Sequence, residues 1–86
     1  MKHAGAAALD RLDSLLEQIR KQAGLKERKR GVFYCGSSAF LHFHEDPEGL
    51  FADVRLASAW ERMPVSTRTE QRSLLAKVRA ALRDSL

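Results

Sequence analysis

Residues 32–56 read VFYCGSSAFLHFHEDPEGLFADVRL, and the period of this stretch decides the fold. Apolar and polar residues alternate with a spacing of two, the signature of strands with one buried face. Gly36-Ser37 interrupts the alternation once, and Gly at the first central position suits a two-residue hairpin turn. Asp46-Pro47-Glu48-Gly49 interrupts it again, with Asp, Pro and Gly at the positions a type I turn favours. Three strands, at about 31–35, 39–45 and 50–56, therefore form an antiparallel meander. Pairing Glu45 with Leu50 sets Phe43 opposite Ala52 and Leu41 opposite Val54, which collects Val32, Tyr34, Ala39, Leu41, Phe43, Leu50, Ala52, Val54 and Leu56 on one face. A slip of one residue would place Asp53 beside Phe43, so the first register is the expected one.

Working outward, Leu9, Leu12, Leu16, Ile19 and Ala23 recur at spacings of three and four, the stripe of a helix over about 5–23. Gly24 follows as a left-handed stop signal. Downstream, "ASAWERMP" is expected to be a crossover in which Trp60 and Met63 anchor the chain. Thr67 and Glu70 then form a capping box that opens a helix over about 67–84, with Leu74, Leu75, Val78 and Leu82 on one side. The sequence thus predicts an α+β fold, α-β-β-β-α, with a three-stranded antiparallel meander and both helices packed on one face. A chain of 86 residues fits a single domain over 1–86. No apolar run approaches the roughly 20 residues that span a bilayer, and no targeting segment is legible. A lone cysteine, Cys35, points to a reducing, cytoplasmic setting.

The net charge of +4 is unevenly placed. Arg20, Lys21, Lys26, Arg28, Lys29 and Arg30 stand against Glu27 alone, in a segment expected to be a solvated connector or a short extra helical turn. Glu45, Asp46, Glu48 and Asp53 make the middle acidic. Arg68, Arg72, Arg79 and Arg83 fall within about 60° of one another on the C-terminal helix. The two basic groups are candidate nucleic-acid contacts, although the acidic middle argues against a uniformly basic binder.

His42 and His44 share the sheet face opposite the core, with Asp53 across from His42 and His44 opposite Phe51. Strand histidines at this spacing can chelate a metal with Asp53 as third ligand or orienting group. The expectation here is nevertheless no metal and no cofactor, because no third histidine converges from the sequence and His3 lies at an end expected to fray. The plainer reading is a cross-strand His42–Asp53 pair. Phe33, Phe40 and Phe51 are assigned to the same outer face with His42, His44 and Arg55, and Phe33 and Phe40 are expected as cross-strand neighbours. Three phenylalanines in water would form an apolar patch, which suggests a protein partner or self-association. Ser37 and Ser38 lie in a turn rather than at a nucleophile elbow, and Cys35 has no visible thiolate stabiliser. The sequence therefore reads as a non-catalytic interaction domain, with weak nucleic-acid binding as the alternative and a metal site or metal-dependent enzyme at His42, His44 and Asp53 behind it.

Overall fold

In the computed structural model, which describes residues 1–84, the chain is α+β, with a six-stranded antiparallel sheet and three helices. The order is β1 (Lys2–His3), α1 (Ala6–Arg11), α2 (Asp13–Arg20), β2 (Leu25–Lys29), β3 (Val32–Cys35), β4 (Ser38–Asp46), β5 (Gly49–Leu56), β6 (Ala59–Pro64) and α3 (Arg68–Asp84). Strands β2 to β6 lie side by side in sequence order, and β1 adds to β4. Residues 85 and 86 of the expected domain lie outside the described residues.

The central register is the expected one: Leu41 opposes Val54, Phe43 opposes Ala52 and Glu45 opposes Leu50. The capping box also forms as read. The Thr67 N–H donates to Glu70 Oε1 at 3.0 Å, and the Glu70 N–H donates to Thr67 Oγ1 at 3.1 Å, satisfying two otherwise unpaired donors of α3.

The meander is wider than three strands. Leu25–Lys29, expected as connector or helix, is an edge strand antiparallel to β3. Its charges are managed individually: Glu27 accepts from Arg20 Nε at 2.6 Å and from the Gly31 N–H at 2.9 Å. A charged edge strand resists pairing with other chains. The expected crossover is likewise a strand, β6, paired with β5 from Phe51↔Pro64 to Leu56↔Ala59. Met63 is buried as anticipated, whereas Trp60 is 44% exposed and lies outside the core cluster.

The single N-terminal helix is two. Leu12 leaves the helical region at φ −99°, ψ 9°, and its N–H bonds the Leu9 carbonyl three residues back. The break lets both segments bury their apolar side, with Ala8, Leu9, Leu12, Leu15, Leu16 and Ile19 all in the core. Together with Leu74, Val78 and Leu82 of α3 they cover one face of the sheet. Of the two leucines read on one side of this helix, Leu74 is buried and Leu75 only half-buried.

Candidate metal centre

The other sheet face carries the chemistry, and its composition differs from the expectation at two of three phenylalanines. Tyr34 pairs with Ala39 but Phe33 pairs with Leu41, so Phe40 is an extra residue opposite β3. Such a bulge puts neighbouring side chains on one side of the strand. Phe40 and Phe33 accordingly sit in the core cluster at 7% and 1% exposure, not as cross-strand neighbours outside. Phe51 alone of the three remains on the outer face, half-buried between His44 and Pro64.

What occupies that face instead is a third histidine. Lys2 pairs with Glu45 and His3 with His44, on the stretch of β4 beyond the end of β3. The terminal segment is tied down, not frayed: the Ala4 N–H donates to the Phe43 carbonyl at 3.0 Å, the Gly5 N–H donates to Glu45 Oε2 at 2.7 Å, and Lys2 Nζ lies 3.8 Å from Glu45 Oε1. Cross-strand pairing puts paired side chains on the same face, so His3 joins His42 and His44. One nitrogen from each ring lies within 4.8 Å of the others. The His3 and His44 rings stack with centroids 4.9 Å apart, and the His42 ring meets His44 edge-on at 4.9 Å.

The surroundings fix the charge of Asp53 and favour the neutral form of His42. Arg62 on β6 grips Asp53 with two hydrogen bonds, Nε to Oδ1 at 2.7 Å and Nη2 to Oδ2 at 2.8 Å. That pairing holds the Asp53 carboxyl below the usual carboxylate range, so it is an anion at neutral pH. The expected His42–Asp53 pairing exists in register, but the close contact is made by His44, whose Nε2 lies 3.1 Å from Asp53 Oδ2. Burial, aided by the neighbouring His44 and His3, pushes the His42 pKa down against the pull of Asp53; its ring is neutral at pH 7. Trp60 flanks His42 at 5.2 Å between centroids, and the Arg55 guanidinium lies over Trp60 at 5.1 Å.

Three ring nitrogens have no hydrogen-bond partner within the protein although they are buried: Nδ1 of His42 and both Nδ1 and Nε2 of His44. Buried polar atoms are nearly always paired, and leaving one unpaired costs roughly 1–3 kcal/mol. His44 Nε2 at least faces Asp53 at 3.1 Å, which leaves Nδ1 of His42 and Nδ1 of His44 as the chemical anomaly of this cluster. Neutral imidazole nitrogens are ligands for Zn²⁺, Cu²⁺ and Ni²⁺, and the set contains neither the thiolates that select softer ions nor the oxygen cage of Mg²⁺ or Ca²⁺. Cys35 lies elsewhere, in a cleft with Phe40, Leu56 and the C-terminal end of α3.

The basic residues divide. Arg20 is bound to Glu17 and Glu27, Arg30 to Asp10 and Asp13, and Arg28 lies 4.3 Å over the Tyr34 ring. Lys21, Lys26 and Lys29 are exposed. Arg68, Arg72, Arg79 and Arg83 are exposed along α3, and Arg68 and Arg72 line a shallow groove with Ser14, Gln18 and Gln71.

Reading the sequence missed His3, Trp60 and Arg62. A two-residue strand has no period to detect, and the short edge of β3 that leaves room for it is a tertiary fact. No helix of the described residues is long and apolar enough to cross a membrane. Compared with protein-family models, with curated proteins and with solved structures, the chain matches none of them.

Proposed function

We propose that this chain is a small, non-catalytic binding domain whose outer sheet face takes up a late first-row divalent metal ion through His3, His42 and His44. The observation that carries this reading is the convergence of three histidines around buried ring nitrogens without partners. Coordination at about 2.0–2.1 Å in a tetrahedron needs ligand nitrogens roughly 3.4 Å apart. Ring rotations that move each nitrogen by about an ångström would close the set. A water or an external donor would complete the fourth position. A non-catalytic role is favoured because the cleft lined by Cys35, Phe40 and Arg55 contains none of the three histidines. The unpaired cysteine supports the cytoplasm as the setting.

Titration with Zn²⁺ by calorimetry tests this directly. One ion per chain should bind, and His3→Ala, His42→Ala and His44→Ala should each weaken binding at least ten-fold. A triple alanine variant that binds as well as the wild type would end the reading.

A second reading, weak nucleic-acid binding, is favoured by one observation: Arg68, Arg72, Arg79 and Arg83 make no ion pair among the described residues. Retention on immobilised DNA or RNA should then fall steeply with salt; retention that is absent at low salt removes it.

A further inference from the structure

We propose that Asp53 is the positioning residue of the metal site, holding the Nε2–H of His44 so that Nδ1 of the same ring is presented to the ion. This rests on the metal-binding reading above and assigns the two nitrogens of its most buried ligand. The His44 side chain is 11% exposed, and neither nitrogen has a hydrogen-bond partner. A neutral imidazole carries one N–H and one lone pair. Asp53 Oδ2 stands 3.1 Å from Nε2, and an anion at that distance repels a lone pair and attracts a proton. The proton therefore belongs on Nε2, and the lone pair is left on Nδ1. In the present geometry the contact is short without being a hydrogen bond. A small rotation of the ring, of the kind that would gather the three ligands, would align it.

Asp53 is suited to orient and poorly suited to ligate. Both of its oxygens accept from Arg62, which fixes the carboxylate plane. Its side chain is 15% exposed, so little water competes for it. Carboxylates that hold the second nitrogen of a metal-bound histidine fix its tautomer and raise its basicity, and their removal typically weakens metal binding 10–100-fold.

The test uses the full chain with ¹⁵N-labelled histidine and long-range ¹H–¹⁵N spectra. In the metal-free wild type, His44 should be a single tautomer protonated at Nε2, and Asp53→Ala should convert it to a mixture. Zn²⁺ should then shift Nδ1 of His44, and Asp53→Asn should weaken zinc affinity 10–100-fold with an unchanged amide spectrum. Arg62→Gln, on an exposed side chain and safe for folding, should weaken it less. His44 protonated at Nδ1 in the wild type, zinc on Nε2, or an Asp53→Asn affinity equal to wild type would each overturn the assignment. So would the signature of a carboxylate ligand, which would make Asp53 a ligand instead. Failure of the wild type to bind zinc would defeat the metal reading alone, since the metal-free tautomer still decides whether Asp53 holds His44.

Discussion

The two faces of β4 and β5 are built from the same two backbones and obey opposite rules. On the covered face Leu41, Phe43, Ala52 and Val54 are 0–3% exposed and belong to the apolar core. What matters there is volume and fit. On the other face His42, His44, Phe51 and Asp53 occupy the intervening positions, and what matters is which atom meets which. The covered face stabilises the fold. The outer face holds buried nitrogens without partners, an arrangement that stability alone would not select. Strand alternation lets one segment of nine residues serve both ends, and a side chain on one face can change without disturbing the other.

The comparison breaks or stands on mutants, of which the largest effect belongs to the covered face. Phe43→Ala should lower stability by about 3–5 kcal/mol in denaturant unfolding; if the domain no longer folds, Phe43→Leu gives a milder loss and should leave zinc stoichiometry at one. Next is Gly49, where both faces share a turn. It has φ 143°, and an added Cβ would lie 2.5 Å from Ser66 Oγ, the acceptor of the Leu50 N–H. Gly49→Ala should cost about 1–3 kcal/mol, read as a drop in melting temperature; an unchanged melting curve would mean that the turn relaxes freely.

His44→Leu reverses the sign. Removing a buried imidazole whose Nδ1 is unpaired and whose Nε2 approaches Asp53 without a hydrogen bond should leave metal-free stability unchanged or raise it by up to ~1 kcal/mol, while zinc binding is lost. A loss above about 2 kcal/mol would show that the outer face is as structural as the covered one. The smallest effect is electrostatic and belongs to neither face. Glu27 is held below its ordinary pKa, chiefly by hydrogen bonds from Arg20, with help from the Gly31 N–H. Its contribution is therefore present above pH about 4.5 and is lost as pH falls through the depressed value. Glu27→Gln should flatten the fall of stability with acid in that range, by well under 1 kcal/mol given its partly exposed partner; identical acid profiles would discount the pair.

The β4–β5 part of the covered face was legible because its determinants are local, whereas on its β3 side Phe33 and Phe40 enter the core in place of the expected Val32, Tyr34 and Ala39. The period of two, the Asp-Pro-Glu-Gly turn and the capping box each lie within a few residues, and the β4–β5 register followed from them. The helix break at Leu12 carries no Pro or Gly and is dictated by packing. The sixth strand escaped notice because its turn lacks the usual residue: Ala57 adopts φ 55° where Gly or Asn would have announced a hairpin. The second strand, LKERK, offers one apolar residue and no alternation. The bulge that moves Phe40 inward and the pairing of His3 with His44 depend on strand ends meeting across the sheet. They account for what the sequence left hidden on this face, the overstated phenylalanine patch and the third histidine beside His44.

The pairing of β1 has a further consequence for the order in which the molecule opens. Gly5 and Glu45 are forty residues apart in the chain, and the strand that joins them has only two residues. By length alone this is the first part expected to detach, since local openings begin where few contacts hold an element. An ion gripped by His3 and by the two β4 histidines would act as a reversible staple across that closure. It would convert the weakest seam into one whose opening requires metal release. Slower exchange of the Ala4 and Gly5 amide hydrogens on addition of zinc would then report the occupancy of a site formed by other residues.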